Sequence, residues 1–210
     1  MRHLLIPDLK KHFLTINRTN MKYLTSTMLL FILALQISFA QTSSVSGQLG
    51  TGVGILSGNP IFTAVLTNVQ TAERQTILLT QPEFKFNNIA NGYDYTLTIE
   101  QKNDIYNVLN GISTLDLVMI QRHILAMQLM QSELMRIAAD VNGDKYISVY
   151  DIVLLRKLIL GISSTLPESW RIRNKIDLSQ HAIQIVKLSE DVNNADFVLI
   201  KVGDINGNSY

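Results

Sequence analysis

Between residues 42 and 102, short apolar and alternating runs are separated by turns rich in Gly, Asn and Pro, a pattern that predicts β-structure. The predicted strands lie at residues 45–49, 61–66, 76–79, 84–86 and 93–99. Asn91-Gly92 lies between the last two strands, and this dipeptide predicts a hairpin that joins them. A small antiparallel sandwich fits the pattern.

From residue 113 the pattern takes the period of a helix, and it occurs twice. Residues 113–125 and 148–160 align at an offset of 35, with Ser matching Ser and Asp116 matching Asp151. Each copy predicts a loop that ends in an acidic residue and leads into an amphipathic helix. Gly161 is placed to cap the second helix, and residues 132–139 predict a short helix between the copies. Packed together, the two repeated helices can bury a core that neither forms alone.

Residues 140–151 place oxygen-bearing groups at the first, third, fifth, seventh, ninth and twelfth positions of a loop. The candidate metal ligands are the side chains of Asp140, Asn142, Asp144, Ser148 and Asp151 and the backbone carbonyl of Tyr146. This is the spacing of a helix-flanked calcium loop, since Ca²⁺ takes about six to eight oxygen ligands. The alternative is a polar turn that caps the following helix. The spacing favours calcium.

Lys145 occupies the sixth position of this loop, where Gly is usual because the backbone needs a left-handed conformation. A non-glycine residue costs roughly 1 kcal/mol there, and the Lys ammonium would lie near the ion. Both effects predict a weakened calcium affinity and not the loss of the site.

The loop before the first repeated helix is poorer in ligands. Counting back from Asp116 puts Ile105 and Leu109 at the first and fifth positions, where carboxylates belong. The remaining candidate ligands are Asn107, Ser113, Asp116 and the Gly111 carbonyl. Three explanations stay open: the loop has lost calcium, its register has shifted to recruit Asp104 or Asn110, or ligands come from elsewhere in the chain.

Ligands from elsewhere in the chain could come from the C-terminal residues. Asp204, Asn206 and Asn208 form half of a calcium loop with no acidic residue to close it. As a hypothesis, this half-loop completes a site with Asp116. The alternative is a surface turn of alternating Asn and Asp.

An apolar segment near the start predicts export. Met21-Lys22-Tyr23 opens a short basic region, residues 28–37 are almost continuously apolar, and Ser38-Phe39-Ala40 resembles a cleavage site. Residues 21–40 are therefore interpreted as a signal peptide, and residues 1–20 as the result of a start codon assigned too early. The alternative is an uncleaved membrane anchor. Cleavage before Gln41 predicts a secreted or cell-surface protein with no membrane span.

Composition narrows the classes of function. The formal net charge of +1 gives no reason to expect a nucleic-acid partner. Since the chain has no Cys, it has no disulfide, no zinc-thiolate site and no cysteine nucleophile. The sequence contains no zinc-protease, serine-hydrolase or phosphate-binding motif. His123 lies in a predicted helix, where we expect a structural or surface residue and not a catalytic base. We expect that the protein is not an enzyme.

Two stretches of the β-rich region are similar to a known family. Val45-Ser46-Gly47 and residues 84–97, which read Phe-Lys-Phe-Asn-Asn-Ile-Ala-Asn-Gly-Tyr-Asp-Tyr-Thr-Leu, resemble the carboxypeptidase-regulatory-like family of Ig-like modules. Such modules carry no peptidase chemistry. The resemblance implies an all-β Ig-like sandwich at residues 42–102.

The duplicated loop and helix, with Asp and not Glu at position twelve, looks like a type I dockerin domain. Residues 113–125, 138–144 and 201–208 resemble the variety found in secreted Bacteroidetes proteins. The resemblance implies a two-domain fold, in which the sandwich precedes a small α-helical, EF-hand-like tandem calcium-loop domain at residues 103–165. Residues 166–210 are expected to pack on that domain as a C-terminal extension. Ca²⁺ is the implied cofactor, and a cohesin-like module is the implied partner.

The dockerin pattern implies partner contacts at the helix starts and at their exposed middle faces. These residues are Thr114, Leu115, Gln121 and Arg122 in the first copy and Val149, Tyr150, Arg156 and Lys157 in the second. The near-symmetry of the copies would allow docking in two orientations. The alternatives are a core position for Leu115 and a solvated surface role for Arg122 and Lys157.

Three functions remain. The leading one is an exported, non-catalytic calcium-binding module for protein assembly. The resemblance to dockerins implies a role in polysaccharide catabolism, in which associated proteins would contact the glycan. The second is a stalk or adhesin fragment whose tandem domains are stiffened by calcium. The third is a carbohydrate-binding accessory, which exposed aromatic residues on the sandwich would support. Against it, Phe84, Phe86, Tyr93 and Tyr95 alternate as core residues do.

Overall fold

The computed structural model describes residues 41–51, 62–101 and 108–208, which belong to one compact unit. The signal-peptide segment, the proposed start at Met21, and Asp104 and Asn107 of the first loop lie outside the described residues. The helices in these ranges lack the length and the apolar character that a membrane span requires.

In the described ranges, five strands are followed by three helices and then by three more strands. The strands are β1 (Thr42–Thr51), β2 (Phe62–Asn68), β3 (Arg74–Leu79), β4 (Glu83–Ala90), β5 (Tyr95–Gln101), β6 (Trp170–Asn174), β7 (Ala182–Ile185) and β8 (Phe197–Lys201). The helices are α1 (Thr114–Ile124), α2 (Glu133–Ala139) and α3 (Val149–Ile159). The prediction of β-structure followed by helices is confirmed at this level.

The strands form two four-stranded sheets, in the orders β4-β1-β8-β6 and β3-β2-β5-β7. The pairs are antiparallel, except that β1 and β8 run parallel. Both sheets contribute to one core, with Val45, Phe86 and Phe197 from the first sheet and Phe62 and Leu97 from the second. The alternating pattern therefore buries one face of each sheet against the other. We call β1 to β8 the two-sheet body.

The hairpin predicted at Asn91-Gly92 is wrong. β4 pairs with β1, whereas β5 pairs with β2 and β7, so the turn carries the chain from one sheet to the other. Gly92 has the positive φ of 87° that a tight turn favours, but its N–H donates to the Leu188 carbonyl at 2.7 Å. Asn91-Gly92 correctly predicted that the chain turns here, because backbone φ depends on local sequence. It could not predict which strands pair, because strand pairing depends on distant segments.

The segment after residue 165 supplies β6 and β8 to the first sheet and β7 to the second. β8 lies between β1 and β6, and all five of its residues are buried. Its run Phe-Val-Leu-Ile is the continuous apolar pattern of a strand covered on both faces. The sequence predicted that residues 166–210 pack on the helical domain; the structure differs because these residues also complete the sheets that residues 42–101 begin.

α1 and α3 pack around a second hydrophobic core. It includes Ile120 of α1, Leu155 of α3, and Val202 and Ile205 from the segment that follows β8. Gly203 has φ 89°, and an added Cβ there would lie 2.6 Å from Leu155 Cδ2. Glycine therefore allows this segment to enter the helical core. We call residues 202–208 the tail, and α1 to α3 with the tail the helical unit.

One of the aromatic residues predicted for the sheet core lies outside it. Phe84, Phe86 and Tyr95 are buried, whereas Tyr93 is 40% exposed. Tyr95 O–H donates to the Ala90 carbonyl at 2.9 Å, across the turn that leads from β4 to β5. Tyr93 lies within that turn, so the strand alternation does not extend to it.

Candidate metal centre

Both repeated helices begin with the same cap, and the cap contains the acidic residue of the repeat. Before α1, the Ser113 side chain accepts from Leu115 N–H, and Asp116 accepts from Ser113 N–H at 2.8 Å. Before α3, Ser148 and Asp151 form the same capping box, again with a 2.8 Å bond to the carboxylate. Each box uses Oδ2 of the Asp, so Oδ1 is left to face other backbone groups.

The loop that precedes α3 folds around its own side-chain oxygens. Asp140 Oδ1 accepts from Gly143 N–H at 2.8 Å and from Asp144 N–H at 3.1 Å, and Oδ2 accepts from Lys145 N–H at 3.0 Å. Asn142 Oδ1 also accepts from Asp144 N–H, at 3.1 Å. Backbone amides thus fix the first and third candidate ligands in place.

Asp151 closes this loop from the first turn of α3. Its side chain is fully buried, and Oδ1 accepts from Val141 N–H at 2.8 Å and from Asn142 N–H at 3.2 Å. Val141 is itself a fully buried member of the helical core. The closure of the loop is therefore linked directly to the packing of the helices.

Lys145 adopts the left-handed conformation predicted for the sixth position, with φ 72°. The Lys side chain is exposed, and no tight packing compensates for the roughly 1 kcal/mol that this conformation costs a non-glycine residue. Gly143, at the fourth position, has a similar φ of 79° without that cost. The left-handed backbone predicted at position six is confirmed.

The donor set of the loop matches a hard cation. Its candidate donors are the carboxylates of Asp140, Asp144 and Asp151, the amide oxygen of Asn142, the hydroxyl of Ser148 and the carbonyl of Tyr146. All are oxygens, which Ca²⁺ prefers to nitrogen or sulfur. No three His, Cys, Asp or Glu side chains converge as a metal cluster in residues 41–51, 62–101 and 108–208.

A buried arginine of the two-sheet body contacts the loop from the side of β6. Arg171 is 3% exposed and donates to the carbonyls of Ile137 (2.7 Å) and Asp140, while its Nε donates to Glu168 at 2.8 Å. Its Nη1 also lies 3.9 Å from Asp140 Oδ2. Arg171 thus satisfies carbonyls at the end of α2 and places a positive charge beside the first candidate ligand. Sequence reasoning missed it because these carbonyls lie 34 and 31 positions away in the chain.

In α1 the carboxylate equivalent to Asp151 is that of Asp116, and backbone amides of the tail bind it. Asp116 is fully buried, and its Oδ1 accepts from Ile205 N–H at 2.8 Å and from Asn206 N–H at 3.2 Å. These distances equal those by which Val141 and Asn142 bind Asp151. A signal was present in the sequence, since residues 203–207 read Gly-Asp-Ile-Asn-Gly where residues 139–143 read Ala-Asp-Val-Asn-Gly.

The structure places every candidate partner contact on the surface. Thr114, Leu115, Gln121, Arg122, Val149, Tyr150, Arg156 and Lys157 are all exposed. Leu115 and Tyr150 occupy equivalent positions in the two copies and are 54% and 57% exposed. The alternative that Leu115 is a core residue is therefore wrong.

The family model for the dockerin type I domain matches residues 110–166. The match contains both repeated helices and the whole loop from Asp140 to Asp151. Type I dockerin domains bind Ca²⁺ with EF-hand-like loops, so the predicted cofactor is confirmed. Such a domain implies protein–protein assembly with a cohesin-type partner. No curated protein and no solved structure matches the chain.

Proposed function

We propose that this protein is an exported, non-catalytic assembly module whose calcium-loaded helical unit docks onto a cohesin-type partner outside the cell. The observation that carries the proposal is the dockerin match at residues 110–166, combined with two equivalent and exposed helix starts in the same segment. We also propose that the protein acts in polysaccharide catabolism and that the two-sheet body is an Ig-like β-sandwich module.

Calcium in this proposal is held by the loop that ends at Asp151. The residues that would hold it are Asp140, Asn142, Asp144, Tyr146, Ser148 and Asp151. The ion neutralises three carboxylates that otherwise repel one another across one short loop. Because Asp151 also binds Val141 in the helical core, calcium that stabilises the loop stabilises the packing of the helices too.

The docking face consists of the two helix starts and the basic residues about two helical turns further along. Leu115 and Tyr150 supply exposed apolar anchors, and Arg122 and Lys157 lie at equivalent places after them. A complementary partner surface has an apolar centre and an acidic rim, since large exposed anchors contribute most of the affinity and rim charges steer association.

Calorimetric titration of the chain with calcium, followed by circular dichroism, tests the first part of the proposal. We expect calcium to increase helix content and Asp140→Ala to remove that response. Asp177→Ala is the matched control, because Asp177 is an exposed Asp whose Oδ1 also accepts from a nearby backbone N–H, at 3.0 Å from Ser179. Asp177→Ala should leave the calcium response unchanged.

Binding to a panel of purified cohesin-type modules, with calcium and with a chelator, tests the second part. If docking uses either helix start, Leu115→Ala and Tyr150→Ala should each weaken binding modestly, and the double variant should weaken it at least about 100-fold. An intact calcium response with no binding to any module would contradict docking and favour the stalk.

The stalk is the second candidate, and one observation favours it. The tail leaves β8 and enters the helical core at Val202, so a calcium-stabilised helical unit is held to the two-sheet body by the main chain. The carbohydrate-binding alternative has less support, because Tyr93 is the one aromatic residue with an exposed side chain among the described residues of the two-sheet body and its turns.

A further inference from the structure

The tail repeats three of the hydrogen bonds that shape the Asp140 loop. Asp204 Oδ1 accepts from Gly207 N–H at 2.9 Å and from Asn208 N–H at 3.1 Å, and Asn206 Oδ1 accepts from Asn208 N–H at 3.1 Å. The corresponding bonds to Asp140 and Asn142 measure 2.8, 3.1 and 3.1 Å. Gly207, at the place of Gly143, has φ 70°.

The start of α1 supplies the other half of that scaffold. Ser113 N–H and Oγ donate to Asp116 Oδ2 at 2.8 and 3.0 Å, where Ser148 donates to Asp151 Oδ2 at 2.8 and 3.2 Å. The tail therefore provides the counterparts of positions one, three and five, and α1 provides those of positions nine and twelve. Residues 117–203 separate the two halves along the chain.

The charge of Asp116 is an observation independent of this geometry. The carboxylate is fully buried, yet none of the Lys, Arg and His side chains in the described ranges forms an ion pair with it. A buried carboxylate is costly unless a positive charge accompanies it. Asp151, the equivalent residue of the other loop, is likewise fully buried and forms no ion pair within the described ranges. A cation bound beside Asp116 would supply the missing positive charge.

We infer that Asp204, Asn206 and Asn208 of the tail, with Ser113 and Asp116 of α1, form a second calcium site. The inference rests on the proposed function only in taking Ca²⁺ as the ion that the Asp140 loop binds. It accounts for Ile105 and Leu109 in the first loop, since the tail takes over the ligand positions that these residues cannot fill. The second site has two carboxylates where the Asp140 loop has three, so its affinity is lower.

Calcium titration calorimetry on the full chain tests the inference through stoichiometry. The variants are Asp204→Asn, Asp140→Asn and the double variant, with Asp177→Asn as the control. Asn keeps an oxygen that accepts the tail N–H groups and removes the charge, so circular dichroism should show that the fold is kept. We expect two ions in the natural chain and in Asp177→Asn, one in each single variant and none in the double variant.

Hydrogen exchange of the tail amides is the second readout. Calcium should slow exchange at Ile205 and Gly207 in the natural chain and in Asp140→Asn, and it should have no effect there in Asp204→Asn. Should Asp204→Asn fold poorly, Asn208→Ala replaces it, because Asn208 is exposed and its loss should weaken the second affinity about 10-fold or more.

The outcomes separate this inference from the proposed function. A single ion that disappears in Asp140→Asn and persists in Asp204→Asn would overturn the second site and leave the Asp140 loop standing. Two ions retained in Asp204→Asn and in Asn208→Ala would place the second ion elsewhere. A natural chain that binds no calcium would contradict the proposed function as well.

Discussion

Asp116, in the first turn of α1, accepts a 2.8 Å hydrogen bond from the backbone N–H of Ile205, 89 positions further along the chain. The bond fastens the tail to the start of a helix that carries part of the proposed docking face. Since the tail continues directly from β8, the same bond connects that face to the two-sheet body. The conformation of the tail should therefore influence how α1 is positioned for docking.

Lys145 allows backbone strain and charge to be measured separately. Lys145→Ala removes the ammonium near the loop and keeps a side chain at φ 72°, whereas Lys145→Gly removes both. We expect both variants to bind calcium a few-fold more tightly. Only Lys145→Gly should also raise the free energy of unfolding, by about 1 kcal/mol. Calcium titration and chemical denaturation measure the two effects, and equal stability of the two variants would show that position six is not strained.

Gly203 is expected to tolerate no side chain. In Gly203→Ala the new Cβ meets Leu155 Cδ2 at 2.6 Å and Ile112 Cδ1 at 3.0 Å at a φ of 89°. Overpacking and strain together should lower the free energy of unfolding by about 2 kcal/mol or more. Gly50→Ala is the control, because its nearest contact would be the Phe197 carbonyl at 3.8 Å. Equal denaturation midpoints for the two variants would contradict the packing of the tail in the helical core.

The two repeated helices end alike, but only one ends with glycine. Ala126 has φ 53° and Gly161 has φ 67°, and the following residues, Met127 and Ile162, donate to Arg122 and Lys157 carbonyls at 2.9 and 2.8 Å. Ala126→Gly should therefore stabilise the protein and Gly161→Ala should destabilise it, each by about 1 kcal/mol.

Thermal and chemical denaturation in calcium measure this pair of changes. Ala182→Gly in β7 is the control, and we expect it to destabilise by about 0.5–1 kcal/mol because glycine weakens a strand. A loss of stability in Ala126→Gly as large as that in the control would argue against a left-handed cap at residue 126.

Arg171 should contribute far more to stability than an exposed arginine does. Arg171→Met leaves the partly buried carbonyl of Ile137 and the buried carbonyl of Asp140 without this donor, so we expect a loss of about 3 kcal/mol. Arg74→Met breaks an ion pair with Glu100 in which both side chains are more than half exposed, and less than about 1 kcal/mol should be lost. Denaturation of both variants with and without calcium measures the difference.

The local features of the site could be predicted from the sequence. The candidate ligands of the loop, the helix starts at Ser113 and Ser148, and the left-handed backbone of Lys145 all depend on residues within one loop and the first turn of a helix. Spacing along the chain is enough to specify such features, because neighbouring residues cannot move apart. The dockerin match covers this same part of the chain.

Only the tertiary structure decided which distant segments meet. The hairpin at Asn91-Gly92 was wrong, Arg171 was missed, and the closure of Asp116 by the tail stood as one of three explanations. In each case the partners lie far apart in sequence. A local sequence pattern shows that a strand or a polar group needs a partner, but it does not identify that partner. The sequence by itself determined the two helices and one candidate calcium loop. Packing of the tail between those helices determined where the carboxylate of Asp116 finds its partners, because Gly203 lets the chain approach closely enough for Ile205 to reach it.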